Sequence, residues 1–580
     1  MPFLGNNHMN KTRRYLLRRV LFSIIFICLF MYLTGCGGSG STGDTNMEDA
    51  PITEATITDT PITDAPAVPY NGMEEGLPQE TVEVPDIDTE VKAVLNINKD
   101  ISHQTIEGMG FFGAMDTWWE NRFFDAEWID TVLLDLGITM WRNEVYPFLN
   151  PACGVYSDPE KHTWCTGILD CCRSDFDRGI TDLRPEEDDI DMAEYSWAHR
   201  NQDASWIIQK PVVEALWNRS AQLVKEGLLD VELRIILTAW TPPAEWKSNR
   251  SSKGGGVLLP EHYEDYGRWW VEVLDMYNAI GVPVYAVSLQ NEPDFAQPYN
   301  SMRIPSWDYV EMIKAAVPII KASYPNVLVF GAEGMLSHEH GGWGPWQQYH
   351  NHLIADPTAF ALMDRFAVHG YSDGIHALNA DRHKYYWGME KTATKDTPNW
   401  MTETSGYFNH WPDLYGREFV PSTIMPGALN LARAIQSALL FGDISAWVFW
   451  QGHSYEGDNM HVLWSPNDTL PHNKYAVTQH FYRYLRPGTV RIGSGLTGTD
   501  SEFTLLATAY RNEAVGHYVM IFVNISAQDH IVDINGLDGL NFLYYITTED
   551  DDVLFHLKYT DFEPEGILIP AYSVVTLVSN

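Results

Sequence analysis

The sequence predicts an α/β fold, a (β/α)8 TIM barrel with an attached C-terminal β-sandwich domain. Three observations lead there. Eight short β-branched or aromatic runs recur between residues 106 and 452, most of them separated by helical patterns. From about residue 487 the pattern turns to strands alone. The chain has 580 residues, 45% of them hydrophobic, so it holds a large core but is too long for one ordinary domain unless that domain is a barrel.

In chain order, residues 1–36 read as an address. Lys11, Arg13, Arg14, Arg18 and Arg19 precede an apolar run from Val20 to Tyr32, shorter than the roughly 20 residues of a spanning helix. Leu33-Thr34-Gly35-Cys36 then resembles a bacterial lipoprotein box, with Cys36 as the lipidated residue; an uncleaved anchor is the alternative. Either way the body is expected outside the cytoplasm, at a bacterial membrane or cell surface, with the lipid anchor as its sole membrane contact. Residues 37–90 are Gly, Ser, Thr, Pro and acid, and bury too little apolar area to offset their ordering entropy. They read as a disordered, extended linker.

A short strand-like run at 91–105 is expected to join the C-terminal sandwich. The barrel is expected over 106–486, with strands at 106–113, 138–146, 232–240, 284–292, 326–333, 365–372, 399–405 and 445–452. Residues 261–279 place Tyr263, Tyr266, Trp270, Val273, Leu274 and Tyr277 on one helical stripe, and 206–227 and 424–441 have similar helical character. The segment from about 150 to 202 reads as an insertion. It holds Cys153, Cys165, Cys171 and Cys172, which two disulfides would pair in an exported protein; a zinc cluster would lack a clean C-x-x-C pair. His338, Glu339, His340, His350 and His352 read as a solvated Gly-rich loop rather than a metal site. The sandwich occupies 487–580, with strands at 502–511, 516–525 and 566–578.

Charge narrows the function. The net charge is −39, and loss of the first 36 residues would leave the remainder near −44. Nucleic acid is not an expected partner, since phosphate neutralisation needs Lys and Arg. The 21 Trp supply flat faces suited to sugar rings, although most Trp is core.

Barrel enzymes carry their reactive groups at the C-terminal strand ends. The fourth strand ends in Ser288-Leu289-Gln290-Asn291-Glu292-Pro293 and the seventh in Trp400-Met401-Thr402-Glu403-Thr404. Two carboxylates across a barrel mouth suit glycosidic cleavage, one protonating the leaving oxygen while the other attacks the anomeric carbon. Glu144 and Glu333, also near strand ends, read as polar shell or structural groups.

These motifs resemble glycoside hydrolase family 30. Trp240-Thr241-Pro242-Pro243-Ala244 is similar to the family's signature after the third strand. Gln104-Thr105-Ile106-Glu107-Gly108-Met109-Gly110 is similar to its opening motif, Arg486-Pro487-Gly488-Thr489-Val490-Arg491-Ile492 to its passage out of the barrel, and Pro570-Ala571-Tyr572-Ser573-Val574-Val575-Thr576 to its last strand. The resemblance implies Glu292 as general acid/base and Glu403 as nucleophile. It implies Asn291 on the sugar 2-hydroxyl, Arg142 as the cation keeping the nucleophile ionised, and His369 and Tyr371 orienting it. Trp240 and Trp450 would wall the −1 subsite, and Asp116 and Trp118 would meet distal sugar hydroxyls. No cofactor or metal is implied.

One departure bears on substrate. Family members that grip a glucuronate carry an arginine soon after the eighth strand, whereas Gln451-Gly452-His453-Ser454-Tyr455-Glu456-Gly457 has none. The expected function is retaining cleavage of a β-linked glycan, xylan or β-glucan in type. A non-catalytic glycan-binding lipoprotein and a glycosidase of a neighbouring barrel family are the rivals.

Overall fold

The computed structural model describes residues 92–579 except 114–125, 146–205, 252–253, 297–299, 337–345, 371–390, 392–393, 395–396, 412–426, 454–459, 466, 469–470, 500–503 and 551–552. The first strand, β1 (Lys92–Thr105), is followed by eight strands that close a parallel barrel: β2 (Gly108–Phe112), β3 (Met140–Val145), β4 (Arg234–Ala239), β5 (Val284–Ser288), β6 (Leu328–Met335), β7 (Arg365–Gly370), β8 (Asn399–Thr404) and β9 (Ile444–Phe449). Their burial is nearly continuous, as parallel strands covered by helices require.

Helices α1 (Trp206–Lys225), α2 (Tyr263–Ala279), α3 (Ser306–Ser323), α4 (Trp346–Ala355) and α5 (Ala428–Phe441) lie among the barrel strands in sequence, and α6 (Asn473–Tyr482) follows the last of them. In α2 every member of the expected stripe, from Tyr263 to Tyr277, is buried. Helix α4 revises one reading. His350 and His352 sit on a helix rather than in a loop; His350 is buried, with its ring 4.7 Å from that of Phe366, and His352 is exposed.

The C-terminal strands form one continuous, mostly antiparallel nine-stranded sheet. Near its middle β14 (His517–Asn524) pairs with β13 (Leu505–Asn512) and β19 (Ser573–Ser579). Two-residue alternation explains how one sheet serves two cores. Val519, Ile521 and Val523 of β14 join the hydrophobic cluster of the barrel and its helices, while Met520 and Phe522 join a separate core within the sheet domain. Polar contacts fasten the same face to the barrel. Gln436 of α5 donates to Thr508 Oγ1 and Ile521 O, each at 3.0 Å, and the two ring nitrogens of His480 on α6 meet Thr576 Oγ1 at 2.9 Å and Thr547 Oγ1 at 2.8 Å. Burial holds His480 down to about 3, so this contact is made by a neutral ring. Strand β1 lies inside this sheet, antiparallel to β12 (Val490–Thr497) and parallel to β15 (His530–Asn535).

The floor of the barrel is closed by charge. Glu107, just before β2, receives Arg365 at the start of β7 through Nε and Nη2 at 2.6–2.9 Å. Trp400 Nε1 and Ser445 Oγ add donors at 2.8 and 3.1 Å. All lie at strand starts, opposite the strand ends expected to carry chemistry. Glu107→Gln, which leaves the guanidinium without its counter-charge, is expected to cost about 2 kcal/mol of stability, read as a lower urea midpoint with kcat unchanged.

Candidate active site

The C-terminal strand ends converge on a buried charged cluster. Arg142, the third residue of β3, is fully buried. Its Nη1 donates to Glu403 Oε2 at 2.5 Å, and its Nη2 to Asn291 Oδ1 at 2.7 Å and Glu333 Oε1 at 3.1 Å. Its Nε reaches Thr238 Oγ1 at 3.3 Å. A guanidinium at zero exposure persists where its N–H groups meet acceptors of this kind.

Glu403 on β8 and Glu292 just beyond β5 face each other. One oxygen from each and one nitrogen of His369 all lie within 4.8 Å of one another. His369 Nδ1 is 3.0 Å from Glu292 Oε1 and 3.9 Å from Glu403 Oε1, while its Nε2 is 3.5 Å from Glu333 Oε1. Burial opposes charge on this ring, but Glu403, Glu292 and Glu333 together outweigh burial and Arg142, raising its pKa to about 9. Both ring nitrogens then carry protons at neutral pH and donate. Because the folded value lies above 6.5, this group's contribution to stability is complete below pH 6.5 and fades as pH rises through about 9.

Glu333 sits beneath the pair at zero exposure. Burial alone would raise its carboxyl, yet Arg142 and His369 hold it down to about 2. Glu292 and Glu333 both have positive φ, 42° and 52°, a region costing about 1–3 kcal/mol for such residues. Asp294, two residues past Glu292, is pushed up to about 7, by burial first and by Glu292 next.

Aromatic rings form one wall. Phe112 at the end of β2 stacks on Trp450 at 4.5 Å between centroids, and Trp240 lies 5.6 and 6.1 Å from the two. The Arg142 guanidinium lies 4.8 Å over the Trp240 ring.

The fold thus gathers Arg142, Trp240, Asn291, Glu292, His369, Glu403 and Trp450 at one mouth. Asp116, Trp118, Tyr371, Cys36, Cys153, Cys165, Cys171, Cys172, His338, Glu339 and His340 lie outside the described residues. Sequence reasoning missed Phe112, Asp294 and the central place of Glu333. Asp294 had a signal, standing two residues after Glu292 on the same turn; Phe112 had only its place at a strand end.

No protein-family model matches the chain. It is similar to the glucuronoxylanase XynC of Bacillus subtilis (strain 168), 24% identical over 283 residues, covering 48% of this chain and 57% of the relative. The chain therefore spans just over half the length of the curated relatives it matches first. Its fold is similar to the catalytic domain of a GH30 xylanase C from Talaromyces cellulolyticus, at TM-score 0.58 and 18% identity, covering 84% of this chain and all of the other. It is also similar to the endo-β1,6-glucanase BT3312, at TM-score 0.55 and 16% identity, covering 84% and 93%. These structures share the eight-stranded parallel barrel with a β-rich C-terminal domain.

Proposed function

We propose that this chain, whose likenesses support its assignment to glycoside hydrolase family 30, is a retaining β-glycoside hydrolase acting on a neutral glycan of xylan or β-glucan type. The observation that carries the reading is the opposed Glu292 and Glu403, with oxygens inside 4.8 Å. Retention uses carboxyls about 5–5.5 Å apart, whereas inversion needs about 6.5–9.5 Å to admit a water.

In the first step Glu403 attacks the anomeric carbon, and the bond to the departing oxygen breaks as Glu292 gives that oxygen its proton. In the second step Glu292 takes a proton from water, whose oxygen displaces Glu403 and releases the sugar. The Asn291 side-chain oxygen is occupied by Arg142, so its amide hydrogens are the groups presented to a sugar hydroxyl. The half-buried Trp450 ring, backed by the buried Phe112 and Trp240, offers apolar area to a ring face. The neutral-substrate reading rests on the arginine-free run Gln451 to Gly457 and on the net charge of −39.

The test is incubation of the whole protein with neutral and glucuronate-bearing β-glycans, the first product being followed by proton NMR. The β-anomer should appear first and mutarotate afterwards. Early α-anomer would overturn the nucleophile, and cleavage confined to glucuronate-bearing chains would overturn the neutral-substrate reading.

A further inference from the structure

The two barrel strands that flank β7 each insert one extra residue at the level of the catalytic pair. Between β6 and β7, Ala332 pairs with Ala367 and Gly334 with Val368, so Glu333 is the extra residue. Between β7 and β8, Val368 pairs with Met401 and His369 with Glu403, so Thr402 is the extra one. Bulges re-aim side chains, and here the two meet: Thr402 Oγ1 donates to Glu333 Oε1 at 2.7 Å. Arg142 Nη2 reaches the same oxygen at 3.1 Å, Thr238 Oγ1 at 3.5 Å and His369 Nε2 at 3.5 Å. A carboxylate at zero exposure and positive φ is a costly element, and its yield is one oxygen on which four side chains converge.

We infer that Glu333 is a positioning residue, the shared anchor that fixes Arg142 on Glu403 and keeps His369 donating from both ring nitrogens. The inference rests on the reading of this pocket as a glycosidase centre. Negative charge must pass from Glu403 to Glu292 as the glycosyl bond forms, and His369 Nδ1 stands 3.9 Å from one and 3.0 Å from the other. A cationic imidazole there follows the charge without moving. Glu333 is the counter-anion that stays charged throughout. Besides Glu333 on β6, the ring faces Glu292 from beyond β5, Glu403 from β8 and Arg142 from β3, and Asp294 acts on it through charge.

Glu333→Gln keeps size and an acceptor oxygen but removes the charge. The expected result is a kcat lower by about 10²-fold with KM within about threefold. The alkaline limb of the pH profile should move down by about one unit or more. Histidine-selective nitrogen NMR on the whole protein, with His369→Asn to assign the signal, should show the His369 titration moving down by a similar amount. A folded Glu333→Gln protein with unchanged kcat and unchanged His369 titration would overturn the inference. If Glu333→Gln does not fold, Thr402→Val takes its place: it removes one donor to the anchor, a kcat loss of about threefold to tenfold at unchanged KM is expected, and an unchanged kcat overturns the inference. The NMR arm needs no turnover, so absence of cleavage on every glycan would sink the proposed function while leaving this test readable.

Discussion

Glu403→Gln and Glu292→Gln should both lose cleavage of natural glycans, but for reasons that a change of leaving group separates. On the proposed roles, the Glu403 variant lacks its nucleophile and cannot form the glycosyl-enzyme bond, and kcat should fall by about 10⁴-fold or more on every substrate. The Glu292 variant lacks only the proton donor, which is worth about 10²–10⁴-fold. An aryl glycoside with an acidic phenol leaves without protonation, so this variant should release phenol in a fast first turnover and then stall before hydrolysis. A burst of phenol equal to the enzyme concentration is the measurement. A burst from Glu403→Gln and none from Glu292→Gln would reverse the two roles.

The second large effect concerns one hydrogen atom. Gly110 lies inside β2, paired with Met140 of β3, and a Cβ built on it would stand 1.7 Å from the Met140 carbonyl oxygen. That obstacle is backbone, so no rotamer relieves it, and the strand pair would have to part. Gly110→Ala is expected to cost more than about 3 kcal/mol, seen as loss of near-UV circular dichroism or of soluble protein. Gly495→Ala, in β12 with nothing within 4 Å of its built Cβ, is the matched control and should lie within about 1 kcal/mol of the parent. Equal stability of the two variants would refute the close strand approach.

What the sequence disclosed divides along physical lines. The α2 stripe was legible because a helix repeats locally, and all of its expected core residues are buried. The barrel strands were legible because parallel strands are apolar on both faces and end in polar residues. Glu292 and Glu403 stood out through short motifs at those ends. Glu333 did not, because its importance comes from two bulges and from partners on β3, β4, β7 and β8, and neither bulge leaves a local pattern. Phe112 looked like any strand aromatic until Trp450 closed over it. In the C-terminal sheet β15 and β16 (Phe542–Thr547) escaped notice.

Strand β1 sets an order of events on the ribosome. It emerges before any barrel strand, yet its partners are far along the chain: Thr497 of β12 contacts Val94 across 403 residues, and Asn535 of β15 contacts Asn96 across 439. At ~5–20 residues per second this is a wait of roughly 20–90 s for the nascent chain. Throughout that time β1 is an edge strand with nothing beside it. Its composition suits the delay: Lys92, Asn96, Asn98, Lys99 and Asp100 leave Ala93 and Leu95 as its fully buried side chains. Polar and charged side chains on an unpaired edge discourage pairing with another copy. The barrel has all its strands before the sheet does, and β12 and β15, both made after the barrel, lock the first described strand in place.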